Sequence, residues 1–273
     1  MSAISCNGSG NMGCALMSAV AHNNKNINIY LTDVDSKKAQ EAAQSIGAKF
    51  IYSNIDAVQN GHFIFLAVKP QVLSDILAEI SPVIKKKLST GAPDVMPVIV
   101  SMAAGWSIKK IQEAIGENVP VVRIMPNTPA LIGRGMIAMS ASPETIESKI
   151  IELEKILGAA GLVDKVDEHY MDAVTGLSGS GPAFVFLFIE ALADCAVRAG
   201  LPRDKALSYA AQTVLGAAAM VQETKKHPGV LKDMVTSPGG TTIAGIAALE
   251  EGAFRGTVIK AVEAAWKRSI EMS

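Results

Sequence analysis

Gly8-Ser9-Gly10-Asn11-Met12-Gly13 lies between a short strand pattern, Ala3 to Asn7, and a helix pattern running from Gly10 to His22. No other stretch limits the fold as tightly. Glycines at these intervals permit a tight strand-to-helix turn, let backbone approach a pyrophosphate, and allow the helix to sit close on the strand. A helix starting there offers unpaired N–H groups and the positive end of its dipole to an anion. The second strand pattern, Ile27 to Thr32, is followed by Asp33, 20 residues after Gly13, where an acid reads the ribose 2′-hydroxyl. Strand, turn, helix and acid in that order predict a dinucleotide-binding unit. A glycine turn with an incidental surface aspartate would leave the order unexplained. Ser5 and Asn7 make the first strand more polar than a buried parallel strand usually is, which predicts a short strand or an altered turn.

The alternation continues. Strand patterns fall at Lys49 to Tyr52, Phe63 to Val68, Pro97 to Met102, Val121 to Met125 and Met136 to Ser140. Helix patterns start near Ser36 (ending at Gly47, a C-cap glycine), after Pro70, and at Pro143-Glu144, the last ending near Gly158. From about Val166 strand patterns disappear and Ala-rich helix patterns take over: Glu168 to Ala199, Pro202 to Lys225, Gly229 to Thr236, Thr242 to Glu251 and Phe254 to Met272. The expected architecture is α/β, a Rossmann domain over residues 1–164 followed by an all-α domain over 165–273. Within Gly176 to Phe184, three glycines and a proline predict a kinked helix or a close backbone approach. Phe184, Phe186, Leu187, Phe188 and Ile189 surround that helix, and in so small a domain this predicts burial against a second subunit. Glu190, Asp194 and Arg198, spaced by four, predict ion pairing along it.

A second anion seat ends the chain. In Asp233 to Gly245, Pro238, Gly239 and Gly240 forbid regular structure before an apolar helix pattern opens at Thr241 and Thr242. Hydroxyls of Thr236, Ser237, Thr241 and Thr242 crowd that helix start, which reads as a seat for a small carboxylate with a proton donor beside it.

Charge and composition remove other classes. A net charge of −1 without a basic cluster gives nucleic acid or an anionic membrane nothing to bind. Cys6, Cys14 and Cys195, and His22, His62, His169 and His227, are scattered, so neither a disulfide framework nor a metal site is expected. No signal-peptide pattern opens the chain, and the apolar run Ala183 to Ala199 contains Glu190, Asp194 and Arg198, so a cytoplasmic protein without a membrane span is expected. A hydrophobic fraction of 49% with mean hydropathy +0.28 again suggests surface buried between subunits.

The segments GSGNMG (Gly8 to Gly13), AVKP (Ala67 to Pro70), VSMAAG (Val100 to Gly105), RIMPNTPA (Arg123 to Ala130), TGLSGSGPAFVF (Thr175 to Phe186), HPG (His227 to Gly229) and DMVTSPGGTTIAG (Asp233 to Gly245) together resemble the pyrroline-5-carboxylate reductase family. The resemblance implies a Rossmann domain and a helical dimerisation domain, homodimers of a kind that often assemble further into decamers, with dimer and decamer both open here, and reduction of a cyclic imino acid to L-proline by NADPH or NADH. It implies cofactor contacts at Gly8, Ser9, Gly10, Asn11 and Met12, at Asn54, at Ala67, Val68, Lys69 and Pro70, and at Ala103, Ala104 and Gly105. It implies a substrate carboxylate on Ser237, Gly239, Gly240 and Thr241, and Thr242 as the catalytic residue at the ring nitrogen. Two departures stand out: Ser5-Cys6-Asn7 where the family has Gly-Phe-Ile, and Trp106 where small aliphatics are usual.

Asp33 leans toward NADH, because a carboxylate repels a 2′-phosphate and Val34 follows it, while family habit and the nearby Lys37 and Lys38 lean toward NADPH. Asn127 is expected to cap the turn before Pro129. Three other classes stay open. A β-hydroxyacid dehydrogenase needs a lysine on the first long helix of the second domain, and residues 170–195 contain none. A reductase of other cyclic imines is separable only by kinetics, and a nucleotide sensor would not need the hydroxyl-rich loop.

Overall fold

Phe63 and Phe65 face one side of their strand and Ile64 and Leu66 the other, and all four are fully buried. Two-sided burial of this kind is what a central parallel strand needs, and each such side chain contributes about 1.5–3 kcal/mol. The computed structural model describes residues 3–24, 26–90 and 96–272. Its strands are β1 (Ala3–Asn7), β2 (Asn28–Thr32), β3 (Lys49–Phe50), β4 (Phe63–Leu66), β5 (Val98–Ser101), β6 (Val121–Met125), β7 (Gly135–Ala141) and β8 (Gly161–Lys165). They form one sheet in the order β3-β2-β1-β4-β5-β6-β7-β8. All neighbours are parallel except β6 and β7.

Between the strands run α1 (Asn11–Asn23), α2 (Ser36–Ile46), α3 (Asn54–Asn60), α4 (Pro70–Thr90), α5 (Ile108–Ile115) and α6 (Glu147–Leu157). Val98, Val100, Val122 and Ile124 share the Phe63 face with Leu16, Met17 and Val20 of α1. Ile99 and Val121 share the Ile64 face with Leu73, Leu77 and Ile80 of α4. Chain order reverses between β1 and β4, the switch point where such sheets bind ligands beyond their strand ends.

β1 keeps its full five residues, all buried, against the expectation of a short strand. Cys6 joins the apolar face, while Ser5 lies against Gly61 and Asn7 turns to α3. Three elements carry no clear pattern in the sequence. β8 is an edge strand with Leu162, Asp164 and Lys165 exposed, so it shows no apolar run. α3 and α5 are too short for periodicity to register, although Ser53 and Ser107 cap them by accepting from the N–H of Asp56 and Lys110.

The remaining helices are α7 (Met171–Val174), α8 (Gly181–Arg198), α9 (Arg203–Thr224), α10 (Pro228–Met234), α11 (Thr241–Glu251) and α12 (Phe254–Glu271). The chain divides into two compact units, Met1–Gly179 with Ala265–Ser273, and Ser180–Ala264. In the first, Thr175–Gly179 forms a π-helical turn, and a Cβ on Gly176 would lie 2.8 Å from the backbone nitrogen of Trp266. The glycine-rich motif thus interrupts the α-helical pattern with a π turn and admits a second backbone. Nearby, the Ser269 hydroxyl donates to Asp172 at 2.7 Å.

In the second unit α8 and α9 meet through small residues, Ala193, Ala206 and Ala210. Asp194 pairs with Arg203 at the start of α9 rather than with Arg198 on its own helix, because this packing brings the α9 guanidinium to it. Phe186 and Leu187 are exposed within this chain, as are Leu215 and Ile259. Glu168–Arg198 has the length and apolarity of a membrane span by composition alone.

Candidate functional site

Register builds the first site. Asn7 pairs with Thr32 on one side and Leu66 on the other, so the next residues, Gly8, Asp33 and Ala67, emerge at one level. Gly8 has φ +108°, and a Cβ there would sit 2.5 Å from the Ala67 carbonyl oxygen, so only glycine fits. Gly10 is different. Nothing lies within 4 Å of the place its Cβ would take, and it begins α1 with no side-chain cap and no acid in the first turn. Asn11 and Met12 are in that first turn, exposed and half-buried, and the helix N–H groups open to solvent space. A cradle held tight behind and open in front fits a pyrophosphate.

Ser9 faces inward and is fully buried. Its N–H and hydroxyl both donate to Oδ2 of Asp33, at 2.6 and 2.9 Å, and the Asp35 N–H donates to Oδ1 at 3.0 Å. Burial alone would raise the Asp33 carboxyl, but the Ser9 and Asp35 bonds, with Lys38 nearby, hold it below its ordinary value. Cys6 beneath the loop is pushed well up, first by burial and then by Cys14 and Asp33.

Asn54 opens α3, where its carbonyl oxygen accepts from Asn7 at 3.0 Å and its amide donates to Glu79 at 2.7 Å. Ala67 and Val68 are half-buried after β4, Lys69 is exposed, and Pro70 starts α4. Ala103, Ala104 and Gly105 follow β5, with Gly105 at φ +78°. Trp106 closes this turn with its N–H on the Ala103 carbonyl, and its indole Nε1–H donates to the Pro70 carbonyl at 3.1 Å. So Trp106, seen in the sequence only as a departure, ties two of the expected cofactor turns together. Asn127 is the N-cap of the turn at Pro129, its backbone carbonyl accepting from the Ala130 N–H at 3.0 Å, but its side chain does no capping. Its side chain bridges instead, accepting from Met136 N–H at 2.9 Å and donating to the Ser178 carbonyl at 3.0 Å. Arg123 is buried, with one guanidinium nitrogen 3.4 Å from Glu168 and the other two without a hydrogen-bond partner among the described residues, and the Glu168 carboxylate also accepts from Ile108 N–H.

Ser237, Gly239, Gly240, Thr241 and Thr242 lie together in the other unit, in the loop from α10 into α11. Gly239 has φ +67°, and Gly240 is the N-cap of α11, again with no side-chain cap and no acid in the first turn. The Gly240 N–H turns back to the Ser237 carbonyl at 3.2 Å, and the Thr236 hydroxyl is consumed by the Lys232 carbonyl. The hydroxyls of Ser237, Thr241 and Thr242 have no partner among the described residues, and Thr242 is half-buried. This is a second helix start ready for an anion, with hydroxyls to spare.

Comparison with known proteins agrees in both halves. Residues 168–272 match the family model for pyrroline-5-carboxylate reductase dimerisation, and residues 4–91 match that for NADP oxidoreductase coenzyme F420-dependent. A pyrroline-5-carboxylate reductase from Glycine max is 49% identical over 232 residues, 85% of this chain and 81% of that protein. One from Methanosarcina acetivorans is 41% identical over 271 residues, 97% and 96% of the two chains. A crystal structure of Plasmodium falciparum pyrroline carboxylate reductase with NADP bound superposes with TM-score 0.88 at 30% identity, over 99% of this chain and 98% of that one.

Proposed function

The chain belongs to the pyrroline-5-carboxylate reductase family, and we propose on that footing how its two loops divide the reaction. It reduces L-1-pyrroline-5-carboxylate to L-proline by hydride transfer from NAD(P)H, the final step of proline biosynthesis. A bound nicotinamide supplies the hydride for the imine carbon, and the ring nitrogen gains a proton. Everything else falls to side chains and backbone.

Gly8 and Gly10 to Met12 take the pyrophosphate, Asp33 and Asn54 the adenosine ribose region, and the turns Ala67–Pro70 and Ala103–Gly105 the nicotinamide end. Ser9 is a positioning residue, since both of its donors go to Asp33. The open N-terminus of α11, with Ser237, Gly239, Gly240 and Thr241, grips the substrate carboxylate and so fixes which ring face is offered. Thr242, whose hydroxyl has no partner among the described residues, hydrogen-bonds the ring nitrogen and relays to it a proton that it takes up from solvent water in the same exchange. Its hydroxyl is a weak acid, so it orients and relays rather than setting the pH optimum.

The observation that carries this reading is the α11 start, a helix end with no side-chain cap, beside which the hydroxyls of Ser237, Thr241 and Thr242 have no partner among the described residues. Residues 165–273 form the substrate-binding and dimerisation part of this proposal. Support comes from the exposed Phe186, Leu187, Leu215 and Ile259, which a second copy would cover, including the apolar run that composition alone allows as a membrane span. Assembly of dimers into decamers and a cytoplasmic location belong to the same proposal, as does the lack of any nucleic-acid or membrane partner. The test is oxidation of NADH and of NADPH with pyrroline-5-carboxylate, with L-proline measured as product. Turnover with neither nucleotide overturns the reading.

A further inference from the structure

If residues 8–13 are the nucleotide loop, as the proposed function has them, the groups around Asp33 decide which nucleotide the loop accepts. Asp33 is held from two sides, Oδ2 by the N–H and hydroxyl of buried Ser9 and Oδ1 by the N–H of Asp35. Three hydrogen bonds fix the direction of the carboxylate and keep it ionised. It stands one residue past the pair Asn7 and Thr32, level with the glycine turn. Its neighbour Val34 is 97% exposed and offers neither a donor nor a positive charge.

We propose that Asp33 is the specificity-determining residue for the nucleotide and that this chain prefers NADH to NADPH. Oδ1 keeps a lone pair for a ribose 2′-hydroxyl, which can donate to it. A 2′-phosphate in the same place brings two like charges together, and the Ser9 and Asp35 bonds stop the carboxylate from swinging away. Lys37 and Lys38 are exposed in the first turn of α2, on flexible stems in water. Exposed cations of this kind return little of what a fixed like charge costs. The preference would set this chain apart from the Plasmodium falciparum relative crystallised with NADP.

The test measures kcat/KM for both nucleotides with pyrroline-5-carboxylate, and Kd for both by titration of the enzyme without substrate. NADH should be favoured about tenfold or more in both, the scale of one like-charge contact near a protein surface. Asp33→Asn keeps the shape and removes the charge, so the ratio should fall toward one. Val34→Arg, at a position the fold does not use, should improve NADPH binding by about tenfold even if Asp33→Asn folds poorly. Equal or tighter binding of NADPH by the unaltered enzyme overturns the inference. An NADH binding preference without turnover of pyrroline-5-carboxylate leaves it standing and overturns the proposed reaction instead. Binding of neither nucleotide removes the loop assignment and the inference with it.

Discussion

The indole N–H of Trp106 donates to the carbonyl of Pro70 at 3.1 Å, joining the turn after β5 to the turn after β4. Both turns are assigned to the nicotinamide end of the cofactor, and this bond ties them together beyond the end of the β4–β5 ladder. Trp106→Phe keeps most of the packing against the Ile64 face and removes the donor. The KM for the reduced nucleotide should rise about fivefold, the worth of one hydrogen bond, with Tm nearly unchanged. An unchanged KM would show that the turns hold their spacing without it.

Gly239 adopts φ +67°, a conformation that costs an alanine about 1–2 kcal/mol. Gly239→Ala should therefore shift the backbone that presents the α11 N–H groups. We expect KM for pyrroline-5-carboxylate to rise at least severalfold while the Kd for nucleotide stays put, read by steady-state kinetics beside a direct titration. A matching loss of nucleotide affinity would argue against separate seats for the two ligands.

Thr242→Ala removes the hydroxyl assigned to the ring nitrogen. By analogy with other positioned proton donors, kcat/KM should drop about a hundredfold, and Thr242→Ser should recover most of it. On the proposal that Thr242 orients and relays, the pH profile of the serine variant should overlay that of the parent. Unchanged kcat/KM in the alanine variant would remove Thr242 from the mechanism.

His62 Nδ1 accepts from the Ala3 N–H at 2.9 Å, a bond only the unprotonated nitrogen can make. Burial, then the charges of Lys149 and Lys87, lowers its pKa below the ordinary 6.5. The folded state thus binds fewer protons than the unfolded one, so this contribution is present above pH 6.5 and fades as pH falls below it. Tm should decline from about pH 7 to about pH 5, and His62→Gln, which keeps an acceptor without a titrating group, should flatten the slope. Parallel slopes in the two proteins would rule His62 out as the cause.

Much of the fold can be read from residue pattern because its signals are local. The Gly8 to Gly13 spacing, the two-sided apolar runs of β4 to β6 and the Gly47 helix stop each act within a few residues. What stays hidden depends on partners far along the chain. β8 is stabilised by its neighbour β7 and exposes three of its four side chains, so nothing in Gly161 to Lys165 announces a strand. The polarity of β1 misleads because Asn7 finds Asn54, 47 residues away. At the site, the motif positions are visible in the sequence, but not the inward turn of Ser9 or the reach of Trp106 to Pro70. Spacing alone pairs Asp194 with the arginine on its own helix, whereas the fold of α9 against α8 supplies Arg203.

Gly176 against the Trp266 backbone, and Asp172 against Ser269, put the last turns of α12 into the same unit as the sheet. The nucleotide half is therefore not a segment that can be excised with one cut. Expression of the sheet half alone would strip a backbone neighbour from Gly176 and a hydroxyl from Asp172. Any split or domain-swapped version of this enzyme has to carry its final helix along with its first strand.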